Sequence, residues 1–318
     1  MEWYEIVGLL MGIAAGVGFV TILIALLCFL KVFYSPKRKP LKDNEFNYPP
    51  GKEYEPFYEQ MTVWMKDIRS RPQEAVSVTS FDGLTLRGVY YEYSPDSPVE
   101  LLFHGYQGTA ERDLSGGVER CFALGRSVVL IDHRGSGKSD GHVLTFGAKE
   151  RKDCLTWIDF ATQKFGKERP LIIGGISMGA ATVLLAAGEE LPENVVCVMA
   201  DCGYSSAEEI IKKVVREMRL PADMVYPFIK LGAKLFGRFD IDEASPIEAV
   251  KHSKTPIVFL HGDADTYVPY EMSARMYEAC ASKKKLVPIH GAGHGLAFPV
   301  DKQAYIQGLK DFQDECGF

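Results

Sequence analysis

Between Ile6 and Leu30 the chain runs for 25 residues without a charged side chain, and such a run can form only one structure in a bilayer. With no water to bond to, every backbone N–H and C=O must be paired within the segment, so a single span is a helix. At about 1.5 Å per residue it covers the roughly 30 Å hydrocarbon core with length left for tilt. The lead-in Met1-Glu2-Trp3-Tyr4-Glu5 lacks the basic start of a cleavable signal peptide, so the helix (residues 6–30) is expected to be retained. Lys31, Lys37, Arg38, Lys39 and Lys42 follow it and no basic residue precedes it. The positive-inside bias therefore predicts a single-pass membrane protein with its C-terminal bulk in the cytoplasm. Trp3 and Tyr4 on one flank and Tyr34 on the other suit the two interfaces. Gly8, Gly12 and Gly16 form a smooth stripe that would permit a weak homodimer.

The remainder is ordinary in composition. With 47% hydrophobic residues it can bury a sizeable core, and 36 basic against 42 acidic residues, well mixed, leave no basic stripe for nucleic acid. Seven cysteines with no Cys-x-x-Cys pair suggest neither a zinc cage nor a disulfide framework. Cys121, Cys154, Cys197 and Cys280 read as small core hydrophobes in a reducing compartment.

Residues 31–72 divide into a polar, Pro- and Lys-rich linker from Ser35 to about Pro56 and an amphipathic helix marked by Phe57, Met61, Trp64, Met65 and Ile68. The linker is expected to have no core of its own, and the helix to pack on the domain. From residue 73 to 318 one α/β domain is expected. Ala75–Ser80 and Leu84–Tyr93 flank an Asp82-Gly83 turn and predict an antiparallel hairpin. Val99–Phe103, Val128–Ile131, Leu171–Gly174, Val195–Ala200, Ile257–Leu260 and Leu286–Ile289 are nearly continuous in apolar residues, as strands buried on both faces of a parallel sheet are. Helical patterns separate them, which implies right-handed crossovers and loops converging at the carboxyl ends of the strands. About 205–243 interrupts the alternation with two helical stretches and reads as a cap, with two alternatives open: some of its apolar residues line a substrate pocket, or they simply pack down on the domain.

Gly175-Ile176-Ser177-Met178-Gly179 follows a strand and opens an Ala-rich helix. A serine there sits on a crowded turn that tolerates only small neighbours, its hydroxyl lifted out of the sheet near helix N–H groups. A hydroxyl needs a base to become a nucleophile at neutral pH, and the base needs a carboxylate on its far nitrogen. Two carboxylates, Asp263 and Asp265, lie in the loop His261-Gly262-Asp263-Ala264-Asp265-Thr266-Tyr267-Val268-Pro269 after one late strand. The Gly-rich turn Gly291-Ala292-Gly293-His294-Gly295 after the next supplies an imidazole, with His290 just before it. Gly135-Ser136-Gly137-Lys138-Ser139 resembles the end of a phosphate loop, but the first glycine of that loop would fall at position 132, which is Asp. No His-Glu-x-x-His or comparable spacing exists, so no metal and no cofactor is expected.

On these motifs the sequence resembles the α/β-hydrolase superfamily from about Ala75 to the C-terminus, in particular its membrane-anchored bacterial esterase-like members. The resemblance implies an α/β-hydrolase fold, a mostly parallel sheet with an N-terminal antiparallel hairpin and a helical cap insertion. It implies Ser177 as nucleophile, Asp265 as the acid and His294 as the base, with Asp263 a loop-capping acid and His290 an exposed imidazole. His104-Gly105-Tyr106-Gln107-Gly108 matches the family's oxyanion loop, whose donors would be the backbone N–H groups of Tyr106 and Met178, with His104 a structural brace. Asp132-His133-Arg134-Gly135-Ser136-Gly137-Lys138-Ser139 matches a loop under the active-site floor, and Asp201, where some hydrolases carry the acid, is expected to be structural. The implied activity is serine hydrolysis of a carboxylic ester or thioester in a small-molecule or lipid-like substrate. Lysophospholipase, acyl-protein thioesterase and peptidase-like activities would use the same groups, and a non-catalytic scaffold is the alternative of another class. A prolyl-oligopeptidase type is disfavoured by the lack of a large N-terminal propeller.

Overall fold

The computed structural model describes residues 2–37, 42 and 44–318; Met1 and the Arg38 and Lys39 of the basic cluster lie outside the described residues. Helix α1 (Trp3–Val32) contains the uncharged run and ends one residue beyond Lys31. A 3₁₀ turn (Lys52–Phe57) leads into α2 (Tyr58–Ser70). The sheet and its connections follow as β1 (Glu74–Thr79), β2 (Thr85–Tyr91), β3 (Val99–Phe103), α3 (Ala110–Ala123), β4 (Ser127–Ile131), α4 (Glu150–Phe165), β5 (Leu171–Ile176), α5 (Met178–Ala187) and β6 (Val195–Asp201). The cap holds α6 (Ala207–Glu217), α7 (Ala222–Gly232) and a π-turn (Ala233–Gly237). After it come α8 (Pro246–Ala249), β7 (Ile257–Gly262), α9 (Tyr270–Ala279), β8 (Lys284–Ile289), α10 (Ala297–Val300) and α11 (Lys302–Cys316).

The eight strands lie in the order β1-β2-β4-β3-β5-β6-β7-β8, antiparallel at β1-β2 and β2-β4 and parallel from β4 to β8. This is the α/β-hydrolase fold. Alternation along the buried strands divides the core in two. Leu101, Phe103, Ile173 and Phe259 meet Cys154, Trp157, Val183 and Met276 of α4, α5 and α9 on one face. Leu102, Ile172, Met199 and Leu260 meet Trp64, Met65, Leu114, Val118 and Leu309 of α2, α3 and α11 on the other. Register brings the strand ends together, Phe103 opposite Gly175, Ile176 opposite Asp201 and Gly262 opposite Ile289, so the loops after β3, β5, β7 and β8 meet on one side.

The linker departs from the sequence reading, and the cap decides between two alternatives that reading left open. The linker is not free of the core: Phe46, Tyr48, Tyr54, Phe57 and Tyr58 pack on the α2-α3-α11 face, and Tyr48 stacks on Tyr58 at 4.3 Å between ring centroids. Five aromatics between Phe46 and Tyr58 are the physical reason, since leaving them hydrated forgoes about 1.5–3 kcal/mol for each large side chain that could be buried. Part of the cap's apolar set packs down, while Met218, Leu220, Met224 and Leu235 stay exposed. Ile210, Ile211, Val215, Tyr226 and Ile229 join Phe29 and Phe33 at the end of α1 in a third cluster, and none of them lines the site cavity. The long apolar helix α1 is joined to the domain beyond its last turn as well. Tyr34 pairs with Val143, Ser35 N–H donates to the His142 carbonyl at 2.8 Å, and Leu144 N–H donates to that of Phe33 at 2.9 Å. Gly8, Gly12 and Gly16 lie open, with nothing within 4 Å of a Cβ built on any of them.

Candidate active site

Ser177 stands between β5 and α5 at φ 57°, ψ −113°, a left-handed conformation that a side-chain-bearing residue holds only when its surroundings dictate it. The flanking glycines show why the turn is so tight. A Cβ on Gly175 would lie 2.2 Å from the Gly179 carbonyl carbon, and one on Gly179 would lie 2.1 Å from the Phe103 carbonyl oxygen. The turn therefore presses against the end of β3 and presents the hydroxyl at the rim of the sheet.

The loops after β7 and β8 bring the other two groups to it. His294 Nδ1 lies 2.7 Å from Asp265 Oδ2 and His294 Nε2 lies 2.9 Å from Ser177 Oγ. Facing a carboxylate, Nδ1 carries the proton and donates it, which leaves Nε2 to accept from the serine hydroxyl. Asp265 is fixed in turn: its Oδ1 accepts from the amides of Tyr267 at 2.9 Å and Val268 at 2.8 Å. Beneath it lies buried His261, whose Nε2 donates to the Val268 carbonyl at 2.8 Å and stands 3.3 Å from Asp265 Oδ2, while Nδ1 meets the Ser273 hydroxyl at 2.7 Å. Burial pushes the Asp265 carboxyl up, but the His261 ring against it and the bond from His294 outweigh that and hold the group down at about 2.

The loop after β3 reaches the same point. A Cβ built on Gly105 would stand 3.6 Å from Ser177 Cβ, so the loop that carries Tyr106 passes beside the serine, and Met178, the first residue of α5, has an amide with no intrahelical acceptor. Asp113, paired with Arg112 at 2.5 Å, packs so closely under this loop that a Cβ on Gly108 would overlap its carboxylate at 1.9 Å. His104 is wholly buried; its Nε2 accepts from the His133 amide at 3.0 Å, and burial pushes its pKa down to about 4, so it braces the loop as a neutral ring. Tyr106 also extends outward, its hydroxyl donating at 2.7 Å to the carbonyl of Val32 in the last turn of α1.

The remaining candidates fall outside this chain of bonds. Asp263 accepts from His290 Nδ1 at 2.8 Å and from the Gly291 amide at 2.7 Å, at the surface. Asp201 is buried and accepts from the Tyr305 hydroxyl at 2.8 Å, its carboxyl pushed up by burial. Asp132 ties the start of α3 to the loop after β4, accepting from Ala110 N–H at 2.8 Å and Lys138 N–H at 2.9 Å. Among the described residues Cys202, Asp265 and His294 put possible metal-ligand atoms within 4.8 Å of one another. Burial holds the Cys202 thiol well above its ordinary pKa, and the other two are bonded to each other, so the donor set is a poor one for a cation.

A cavity of about 540 Å³ opens at Ser177 and His294. Its apolar walls include Met61, Trp64, Leu102, Ile176, Met199 and Phe298, and its roof is the linker from Asn47 to Pro50 with Glu53 and Tyr54. The sequence reading missed this roof. The available signal was the aromatic density around Pro49-Pro50-Gly51, which a solvated tether does not need.

Comparison with known proteins places this geometry among relatives. The chain is 29% identical over 242 residues to YqkD of Bacillus subtilis (strain 168), covering 76% of this chain and 79% of that one. It is 30% identical over 209 residues to the lysophosphatidylserine lipase ABHD12 of Danio rerio, covering 62% of this chain but only 51% of the relative. The esterase Pf2001 of Pyrococcus furiosus shares the fold at a TM-score of 0.64 and 20% identity, over 89% of this chain and 98% of the esterase. The sequence profile of the prolyl oligopeptidase family matches residues 117–317. That region lies wholly within the hydrolase domain, so membership does not depend on a propeller, and the sequence-based expectation against this family is corrected. With well over half the chain matched and the sheet, turn and loops of a hydrolase around Ser177, the protein belongs to the prolyl oligopeptidase family.

Proposed function

We propose that this protein is a membrane-anchored serine hydrolase that cleaves carboxylic esters through an acyl-enzyme on Ser177. The observation that carries the reading is the run of hydrogen bonds from Ser177 through His294 to Asp265, opening onto a largely apolar cavity. In the first half-reaction Ser177 Oγ attacks the ester carbonyl while His294 Nε2 takes its proton. The tetrahedral oxyanion is held by the Tyr106 and Met178 amides, each worth roughly 3–4 kcal/mol if removed. Collapse breaks the ester C–O bond as the imidazolium returns its proton to the leaving alcohol. In the second, His294 deprotonates water, which attacks the acyl-enzyme, releasing the acid and restoring Ser177. Asp265 keeps the imidazole in the required tautomer and balances its charge throughout.

The apolar cavity wall and the name of the zebrafish relative support an acyl-lipid ester as substrate, and the basic residues that follow the span support a hydrolase domain on the cytoplasmic side of the anchor. A second reading, cleavage of an amide in a small peptide, is supported by the family match. The test uses the full chain in phospholipid vesicles, with fluorophosphonate labelling and a panel of ester, thioester and prolyl-amide substrates of graded acyl length. Ester turnover rising with chain length is expected. Ser177→Ala should lower kcat by roughly a millionfold with the fold intact. An unlabelled wild type would identify a non-catalytic scaffold, and faster amide than ester turnover would favour the second reading.

A further inference from the structure

The membrane helix does not end where the catalytic domain begins; the two overlap along its last turns. Ala25 and Phe29 of α1 are buried, at 0% and 6% exposed, and what buries them is the end of α7 and the π-turn after it. A Cβ on Gly232 would lie 2.4 Å from the Ala25 carbonyl oxygen, and one on Gly237 would lie 3.1 Å from the Phe29 ring, so the helices meet backbone to backbone. Phe236 packs on Phe29 with ring centroids 5.8 Å apart.

That contact fixes the depth of the cap. Lys31 is the first charged residue after the span, and Ala25 lies six residues before it. At 1.5 Å per residue the contact extends to about 9 Å on the hydrocarbon side of Lys31. An element that grips α1 there sits among headgroups and upper acyl chains, the depth of about 5–10 Å at which amphipathic helices rest in a bilayer. The outward surface of the cap has the matching chemistry. Met224 is 71% exposed, Met218 52%, Leu235 50% and Leu220 45%, and Phe236 is partly exposed beside them. These side chains lie on, or just before, the elements that pack on α1, and at that depth acyl chains rather than water would surround them.

The charges agree. Between Ala207 and Asp240 there are seven basic and five acidic residues in a chain whose net charge is −6. Among the described residues Arg219 and Arg238, both exposed, have no carboxylate partner. Long basic side chains at the edge of an apolar patch can bury their stems and hold their charges at anionic headgroups.

We propose that the cap is a second membrane contact: α7 and the π-turn lie in the bilayer interface against α1, with Met224, Leu235 and Phe236 inserted among acyl chains and Arg219 and Arg238 at anionic headgroups. The domain is then docked on the membrane by its cap as well as tethered by its anchor. The inference rests on the packing of α7 on α1 and needs no assumption about the reaction at Ser177.

The test reads depth directly. Met224→Trp and, as a control on the far α11, Asp314→Trp are each made in the full chain and reconstituted in phosphatidylcholine vesicles with a minority of phosphatidylglycerol. Lipids brominated near the headgroup end of one acyl chain should quench the Met224→Trp signal several-fold more than the Asp314→Trp signal, after subtraction of the native tryptophans. Aqueous acrylamide should show the reverse order. Equal lipid quenching at the two sites overturns the proposal. So does a Met224→Trp signal shielded from acrylamide yet not quenched by lipid, because a second polypeptide, a copy of this chain included, would then cover the patch. Fluorophosphonate labelling of the same samples reports separately on Ser177, so failure of the docking surface and failure of the hydrolase reading give different results.

Discussion

Asp265 and Asp263 sit two residues apart on one loop, and each accepts a hydrogen bond from Nδ1 of a histidine in the next loop, at 2.7 Å from His294 and 2.8 Å from His290. By residue type, spacing and bond length they are nearly interchangeable. Burial separates them. The Asp265 side chain is 0% exposed and its histidine 13%, whereas Asp263 is 38% exposed and its histidine 98%. A carboxylate shielded from water acts on its imidazole undiluted, while one at the surface is screened to little effect. Asp265 also receives two amides and lies against His261, so its geometry is over-determined, and only its histidine has a free nitrogen aimed at a hydroxyl. Two side chains of one chemistry thus acquire different roles from the ground beneath them.

Neutralising each acid in turn should give the largest contrast. Asp265→Asn should lower kcat by about 10⁴-fold, because the amide no longer holds the imidazole in the tautomer that accepts from Ser177. Asp263→Asn, made and assayed beside it on the same ester, should leave kcat unchanged. Equal losses in the two variants would mean that the loop rearranges in turnover and that the resting geometry misassigns the acid.

How far this contrast could be read before the fold was known depends on the residue. Strand and helix alternation, the crowded Ser177 turn and the order of the loops all follow from local periodicity and glycine placement, which one sequence carries openly. The preference for Asp265 over Asp263 came from a family resemblance, because nothing in Asp-x-Asp says which side chain turns inward. His261 was out of reach altogether as a support for Asp265, since that contact depends on how the loop folds back across Val268. The linker roof and the grip of α7 on α1 were hidden for the same reason. They are long-range packing events, and the periodicity of Phe29, Gly232 and Tyr54 does not reveal which surface each will meet.

The same burial should be visible in stability. The Asp265 carboxyl is held at about 2, below its ordinary 3.8, so the folded state binds its proton less readily than the unfolded chain does. The resulting stabilisation, about 2 kcal/mol, is fully present above the ordinary value and is lost as pH falls from there towards 2. Urea unfolding of the full chain in detergent should therefore show a midpoint that drops over that acid range. The drop should be smaller in Asp265→Asn, which has no proton to take up, and much less altered in Asp263→Asn, whose carboxyl is also held down by His290 and the Gly291 amide but stands in water. A wild type and Asp265→Asn variant with parallel acid slopes would show that the buried carboxylate is not tied to the folded state in this way.

Removing the exposed ring should have the smallest effect, and for that reason it is the strictest check on the argument. His290 bonds to Asp263 but stands almost wholly in water, so its loss frees a carboxylate that solvent and the Gly291 amide already satisfy. His290→Ala should accordingly change neither kcat for ester hydrolysis nor the midpoint of thermal unfolding beyond experimental error, while the corresponding His294→Ala abolishes turnover. The position is sensitive to one alternative in particular. If the turn from Gly291 to Gly295 had to be held by the His290 to Asp263 bond for His294 to meet Ser177, the variant would lose turnover with its fold intact. Burial would then no longer explain why one of the two pairs works and the other does not.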